Sequence, residues 1–396
     1  MPVTAHPTAS HTLALLGVLS ALSWGLALTY FATGHGNLDA TGHALGRDFV
    51  NLWTAGHLVA DGRVAAIFDP AQFGAVQRAL LSPNFPLHFW SYPPTFLFAA
   101  APFGKVSYLP GFILWSLAGF VALAAAARTF FPRWGQAAWL LTSPAVAVNL
   151  VLGQNGAFTA ALIMSGCILM ARRPAASGAL FGVLTFKPHL GLLAPIAMLA
   201  QRRWTTVLIA GLVTLALAGL SVVAFGIDAW RAFVQKALPM QAAMMEQGQG
   251  PFQWMMTSAF MAGRLLGISA EWSMVLQVPF TLAGAVFVWR AWRSDADAYV
   301  KFSMLAVAGL MATPQAFNYD MIPLAAVAVL LAGKDGSLRD RLTSQLLWAL
   351  PILIMALNVI RLPLAPLILL GIAVHLDRTR IACALPESRN AIAPAK

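Results

Sequence analysis

Apolar runs of helical length, separated by short polar stretches, recur from one end of the chain to the other. The first covers about Thr12–Thr33 and stops at Gly34 and Gly36. Later runs cover Val106–Arg128, Gln136–Leu152, Ala157–Ala171, Thr205–Phe225, Trp272–Trp289, Val300–Thr313, Tyr319–Ala332, Thr343–Ile360 and Pro363–His375. A helix needs about 20 apolar residues to cross roughly 30 Å of hydrocarbon. The longer runs therefore predict full crossings, and the shorter ones predict tilted or incomplete helices. No strand-like alternation of apolar and polar residues runs through these segments, which argues against a β-barrel. The pattern predicts an all-α polytopic membrane protein with about ten to twelve transmembrane or partial helices, in one membrane domain over residues 1–396.

Three segments depart from this rhythm. Residues 34–92 are too polar to span, yet Phe49, Leu52, Trp53, Gly56 and Leu58–Val59 give part of the stretch a helical apolar face. That predicts an outer loop carrying an amphipathic helix at the membrane interface. Thr95–Phe103, between Pro93–Pro94 and Gly104, is too short to cross and predicts a partial insertion. Finally, Arg172–Arg173 and Arg202–Arg203 bracket about 28 residues, where two full crossings would need about 40. With Lys187-Pro188-His189 in its middle, 174–201 reads as a hairpin of two half-helices.

Composition sharpens the picture. Of the 396 residues, 59% are hydrophobic and 10% charged, far below the roughly 25% charged residues of a soluble domain. The net charge of +11 does not imply nucleic acid, because the basic residues sit in small clusters between apolar runs. Arg128/Arg133, Arg172–Arg173, Arg202–Arg203, Arg290/Arg293/Lys301, Lys334/Arg339/Arg341 and Arg378/Arg380 are expected to face the cytoplasm, with a cytoplasmic tail over 376–396. Residues 34–92, 153–156, 226–271 and 314–318 then lie on the other side, where Arg231, Lys236 and Arg264 run against the rule. The first run has no Lys or Arg before it and no cleavage-type site, so it reads as a retained helix. Cys167 in an apolar run and Cys383 in the tail do not suggest a disulfide.

Polar groups at membrane depth are costly and so suggest function. Five places stand out: Gly46-Arg47-Asp48-Phe49, Trp90-Ser91-Tyr92-Pro93-Pro94, Gly153-Gln154-Asn155-Gly156, Phe186-Lys187-Pro188-His189, and Thr313-Pro314-Gln315-Ala316-Phe317-Asn318-Tyr319-Asp320. Each has a plain structural alternative. Asp48 can cap the helix that follows it, Tyr92-Pro93-Pro94 can be an interfacial aromatic before a helix start, and Gln154–Asn155 can be turn residues. Asp320 can serve only to neutralise Lys187 or an arginine. Lys187 demands an anion, either a substrate's or a neighbour's. His6, His11, His35, His43, His57 and His88 have no metal-ligand spacing, and no cofactor-binding motif is present. Neither a metal nor a cofactor is expected.

In this order, Arg47-Asp48-Phe49 with Trp53 and Ala55-Gly56, Phe68-Asp69-Pro70, Tyr92-Pro93-Pro94, Gly153-Gln154-Asn155, Lys187-Pro188 and Pro314…Asn318-Tyr319-Asp320 resemble glycosyltransferase family 87. The resemblance covers about residues 45–332. It implies a GT-C-like helical bundle and a transferase in the cell membrane that uses a polyprenyl-phosphate sugar, mannose among the candidates. The implied reaction is an inverting transfer to a hydroxyl of a lipid or glycan acceptor, on the periplasmic or external face. It also implies an acidic general base early in the first outer loop, which here is Asp48. Some relatives carry histidines in the late motif, where this chain has Asn318-Tyr319-Asp320. On this reading Lys187 and Arg264 are expected to hold the donor phosphate. Arg47, Tyr92, Gln154, Asn155, His189, Gln315, Asn318, Tyr319 and Asp320 are expected to line the substrate site. The rivals are a multi-pass transporter or lipid-linked-sugar flippase, and a non-catalytic membrane scaffold.

Overall fold

The computed structural model describes residues 7–333 and 337–379. The expectations for His6, Lys334, Arg380, Cys383 and the tail beyond residue 379 lie outside them. Among the described residues every regular element is helical, with a few isolated bridges and no strand. Five helices are long and apolar enough to cross a membrane: His11–Ala32, Tyr108–Phe130, Trp204–Phe225, Ala270–Arg293 and Leu338–Val359. Six shorter apolar helices of 10–17 residues accompany them. The protein is an all-α polytopic membrane protein.

At the centre lie two short helices, Ala298–Ala312 and Ile322–Ala332, buried over almost their whole length. Beyond Lys301, in the first turn of Ala298–Ala312, they are apolar on nearly every side, as a helix must be when neighbours enclose it all round. Trp204–Phe225 is the opposite case, with Leu208, Leu212, Leu215, Leu220 and Val223 exposed, a face suited to lipid. The run expected as one span over Gln136–Leu152 is two helices, Trp134–Leu141 and Pro144–Val151. Pro144 has no N–H to continue the first helix and its ring disfavours a helical Ser143, so the break falls between them.

Between residues 34 and 92 the chain forms a turn at 39–48, the helices Phe49–Ala60, Val64–Ile67 and Pro70–Leu80, and an extended return. Helix Phe49–Ala60 packs on Pro94–Phe103, a short apolar helical stretch. Gly56 and Gly104 meet backbone to backbone, leaving no room for a Cβ on either. The Trp53 indole N–H seals this contact by donating to the Val106 carbonyl at 2.7 Å. Eight of the helix's residues, Asp48's neighbour Phe49 among them, are buried, so it is packed into protein more deeply than an interfacial helix would be.

Residues 174–201 form helix Pro174–Val183, a 3₁₀ turn to Phe186, a break at Lys187, a second turn Pro188–Gly191 and helix Ala194–Ala200. Ala171 and Gln201 line one cavity, so the two outer ends of this segment meet. Its apex, Lys187, is carried into the bundle. Segment 313–320 is fixed from outside by main-chain hydrogen bonds. The Thr257 N–H donates to the Ala316 carbonyl and the Asn318 N–H donates to the Met255 carbonyl, each at 2.9 Å.

Candidate active site

Two turns build the outer half of the site. Gly153 sits at φ +59, and a Cβ there would run into the Gly46 carbonyl. Only glycine allows both the conformation and the approach. The Asp48 N–H then donates to the Leu152 carbonyl at 3.0 Å, and the Trp115 indole donates to the Gly153 carbonyl at 3.1 Å. So pinned, the turns bring the Gln154 amide to the Asp48 carboxylate, donating to Oδ2 at 2.6 Å. Asp48 occupies the N-cap of helix Phe49–Ala60, but its side chain makes no capping bond. The capping role expected as its alternative is not what the carboxylate does.

A chain of polar contacts leads inward from there. The Tyr92 hydroxyl donates to Gln154 Oε1 at 3.3 Å and accepts from Asn155 Nδ2 at 2.9 Å. Asn155 Oδ1 accepts from Lys187 Nζ at 3.0 Å, and Lys187 donates to Asp320 Oδ1 at 2.6 Å. The ammonium lies 4.9 Å from the centre of the Tyr319 ring, which stacks on Phe317. Gly156 admits this packing, since a Cβ there would strike the Tyr319 carbonyl. Exposure falls along the chain, from 30% for the Asp48 side chain to 4% for Lys187 and 0% for Asp320. An open carboxylate stands at one end and a dry ion pair at the other. Asp320 Oδ2, buried, has no hydrogen-bond partner.

The structure thus joins Asp48, Tyr92, Gln154, Asn155, Lys187, Tyr319 and Asp320, which come from five distant parts of the sequence. It sends others elsewhere. Arg47, at φ +34, pairs with Asp39 at 2.7 Å and donates to the Thr41 hydroxyl at 3.1 Å. Arg264 donates to the Ile268 and Glu246 carbonyls, closing a helix end rather than facing the polar chain. Asn318 donates to the Pro351 carbonyl at 3.0 Å. His189 is beside Lys187 in sequence, but its Nε2 is buried without a partner. Gln315 contributes its backbone N–H to the Thr313 hydroxyl, and no side-chain bond ties it to the network.

Sequence reasoning missed His88. Its Nδ1 lies 3.5 Å from Asp48 Oδ1. Gln77 grips its backbone on both sides, accepting from the His88 N–H at 3.0 Å and donating to its carbonyl at 2.8 Å. The His88 ring also meets His43 edge-on, 5.8 Å between centres. No spacing rule signals a contact between residues 48 and 88; only their common loop, 34–92, hints at it. Electrostatics in this loop are set locally. Burial pushes the Asp39 carboxyl up, but the Thr41 hydroxyl, the N–H groups of Thr41 and His43, and Arg47 outweigh it and hold the carboxyl below its ordinary value. Burial, then Arg47 and His88, push His43 down. Burial raises the Tyr92 hydroxyl, with the Asp48 and Asp320 charges adding to it, so it remains protonated and able to donate. Among the described residues no three His, Cys, Asp or Glu side chains gather as a metal site requires.

Comparison with known proteins gives one result. The family model of Glycosyltransferase family 87 matches residues 90–314, which include Tyr92, Gln154, Asn155 and Lys187 and leave Asp48 and Asp320 outside. No curated protein and no solved structure matches the chain. A match over more than half of the sequence, on a helical membrane bundle, settles the family: the chain belongs to glycosyltransferase family 87.

Proposed function

We propose that this membrane glycosyltransferase moves a sugar from a polyprenyl-phosphate donor to a hydroxyl of a lipid or glycan acceptor, with inversion, on the extracytoplasmic face. The observation that carries the reading is the Asp48 carboxylate. It is partly exposed, oriented by Gln154 at 2.6 Å, and not used in capping. An acceptor hydroxyl attacking an anomeric carbon must lose its proton as the new bond forms. Asp48 takes that proton. The acceptor oxygen bonds to the anomeric carbon from the face opposite the donor phosphate. The bond from that carbon to the phosphate oxygen breaks, and its electron pair leaves with the lipid phosphate. Because lipid phosphate leaves readily, no nucleotide site is needed. Mannose is among the sugars this scheme accommodates.

In the same proposal Lys187 holds the departing phosphate, where an ammonium in a dry site stabilises growing negative charge. A second reading has a specific observation behind it: Lys187 already has an anion, Asp320, at 2.6 Å. On that reading Lys187 is the site's internal brace and its charge never meets the donor.

The test is transfer by purified, reconstituted protein supplied with a radiolabelled polyprenyl-phosphate sugar and an envelope lipid extract. Appearance of an inverted glycoside, with release of the lipid phosphate, supports the transferase. Movement of intact donor across the bilayer without release would assign the flippase instead.

A further inference from the structure

The most distinctive feature outside the polar chain is a cavity at the far end of the bundle. Helix Gly156–Leu169 begins beside Asn155 and ends beside Cys167 and Met170; helix Ala298–Ala312 begins beside Lys301 and ends just before the 313–320 segment. These antiparallel helices carry the chain roughly 20 Å, at about 1.5 Å per residue. Where they end, a cavity of about 180 Å³ is lined by Cys167, Met170, Gln201, Arg203, Trp292 and Lys301, with small alanines between. That volume holds several water molecules or one phosphate-sized anion.

The lining contains two cations and no carboxylate. Among the described residues neither Arg203 nor Lys301 has an ion-pair partner, and the Arg203 Nε is closed off from solvent with no acceptor. Asp295 and Asp297 attract Lys301 through space, without an ion-pair contact. Asp297 caps its helix, Oδ1 accepting from the N–H groups of Tyr299 and Val300, both at 2.9 Å. The wall itself is fixed, with the Trp292 indole donating to the Lys301 carbonyl at 3.2 Å. A buried guanidinium N–H without an acceptor is costly, and two like charges facing one cavity add to the cost. An anion that accepts from both would remove it, and a phosphate group suits a guanidinium fork with an ammonium beside it.

We propose that this cavity, framed by Arg203, Lys301 and Gln201, binds a phosphate group at the end of the bundle opposite Asp48. The proposal does not depend on the reaction assigned to Asp48. The phosphate belongs either to an anionic lipid headgroup or to a free phosphate, and the two sources are separated by the experiment.

Full-length protein is reconstituted in phosphatidylcholine vesicles, with or without phosphatidylglycerol, and in plain phosphatidylcholine with added inorganic phosphate. Binding is read as the rise in the thermal midpoint and as lipid retained after extraction. A rise with phosphatidylglycerol assigns a headgroup; a rise only with inorganic phosphate assigns a free anion. Arg203→Gln with Lys301→Gln is expected to weaken the effective probe by about tenfold or more, two charge-assisted hydrogen bonds being lost. Without any probe this double variant should melt no lower than the native protein, since it removes two unpartnered charges. Should it fail to fold, each single substitution is read in the same way. Arg172→Gln with Arg173→Gln removes equal charge from exposed positions on the same side and should leave binding within about threefold, surface charges being screened. Equal loss in both double variants would mean diffuse attraction and overturn the site. So would the absence of any rise with either probe.

Discussion

At the scale of single residues, the two ends of the polar chain make separate predictions. Lys187 and Asp320 are buried and hydrogen-bonded to each other, so removing one partner strands the other charge. Lys187→Met is expected to cost about 3–5 kcal/mol of stability, measured as a lower thermal midpoint in detergent. Adding Asp320→Leu should restore most of it, as replacement of both ions by apolar groups is often neutral. Transfer by the double variant then separates the roles: near-native turnover makes Lys187 a brace, and lost turnover in a refolded double variant makes it a phosphate ligand. Asp39 behaves differently because its folded carboxyl lies below its ordinary value of 3.8. The stability it lends to the 39–48 turn is therefore complete above that value and is lost as pH falls through the depressed one. Asp39→Asn should lower the thermal midpoint at neutral pH and flatten its decline in acid. An unchanged acid decline would count against the Asp39–Arg47 pairing as the turn's lock.

At the scale of elements, much of the helical pattern could be read from apolar runs, because a spanning helix announces itself by length alone. Tyr108–Phe130 and Trp204–Phe225 fall within two or three residues of the expected spans. Helix Pro144–Val151 does not, because a run of apolar residues hides a break that Pro144 makes by geometry. The site was legible as pieces: the turns at 48, 154, 187 and 320 stand out as polar groups in apolar surroundings. Their mutual contacts were not legible, since a hydrogen bond between residues 106 positions apart, as from Gln154 to Asp48, leaves no local trace. Arg264 misled for a related reason. A cation near a helix end looks free in sequence, while its N–H groups are taken by backbone carbonyls. Gly153 gives the element-scale test. Gly153→Ala strains a positive φ and drives a Cβ into the Gly46 carbonyl, whereas Gly42→Ala, at φ +79, meets open space. The strained conformation costs about 1–2 kcal/mol in both, and the collision should make Gly153→Ala the more damaging in stability and in transfer. Equal midpoints for the two variants would contradict the pinned-turn geometry.

At the scale of the whole molecule, the proposed topology puts Asp48 outside and the Arg203–Lys301 cavity inside. The basic clusters argue for it through the positive-inside rule. Asn155 and Phe317 lie on the proposed outer side but are buried, so labelling must use exposed positions. With Cys383 removed, cysteines at Ala40 and Gln235 should react with a membrane-impermeant thiol reagent added to intact cells, and cysteines at Arg173 and Ser337 only after permeabilisation. The reverse pattern would turn the protein over and move the proposed reaction to the cytoplasm. The central claim, that this family member is a transferase dependent on the Asp48 carboxylate, is tested most directly by comparing native protein with Asp48→Asn in the reconstituted donor assay. Asn keeps the size of the side chain and takes nothing from the helix, as Asp48 makes no side-chain cap. Its thermal midpoint should match the native one, while initial transfer rate should fall about 10²–10⁴-fold, the usual loss when a general base is removed. A folded Asp48→Asn protein that keeps more than about a tenth of the native rate, against that scale, would contradict the account.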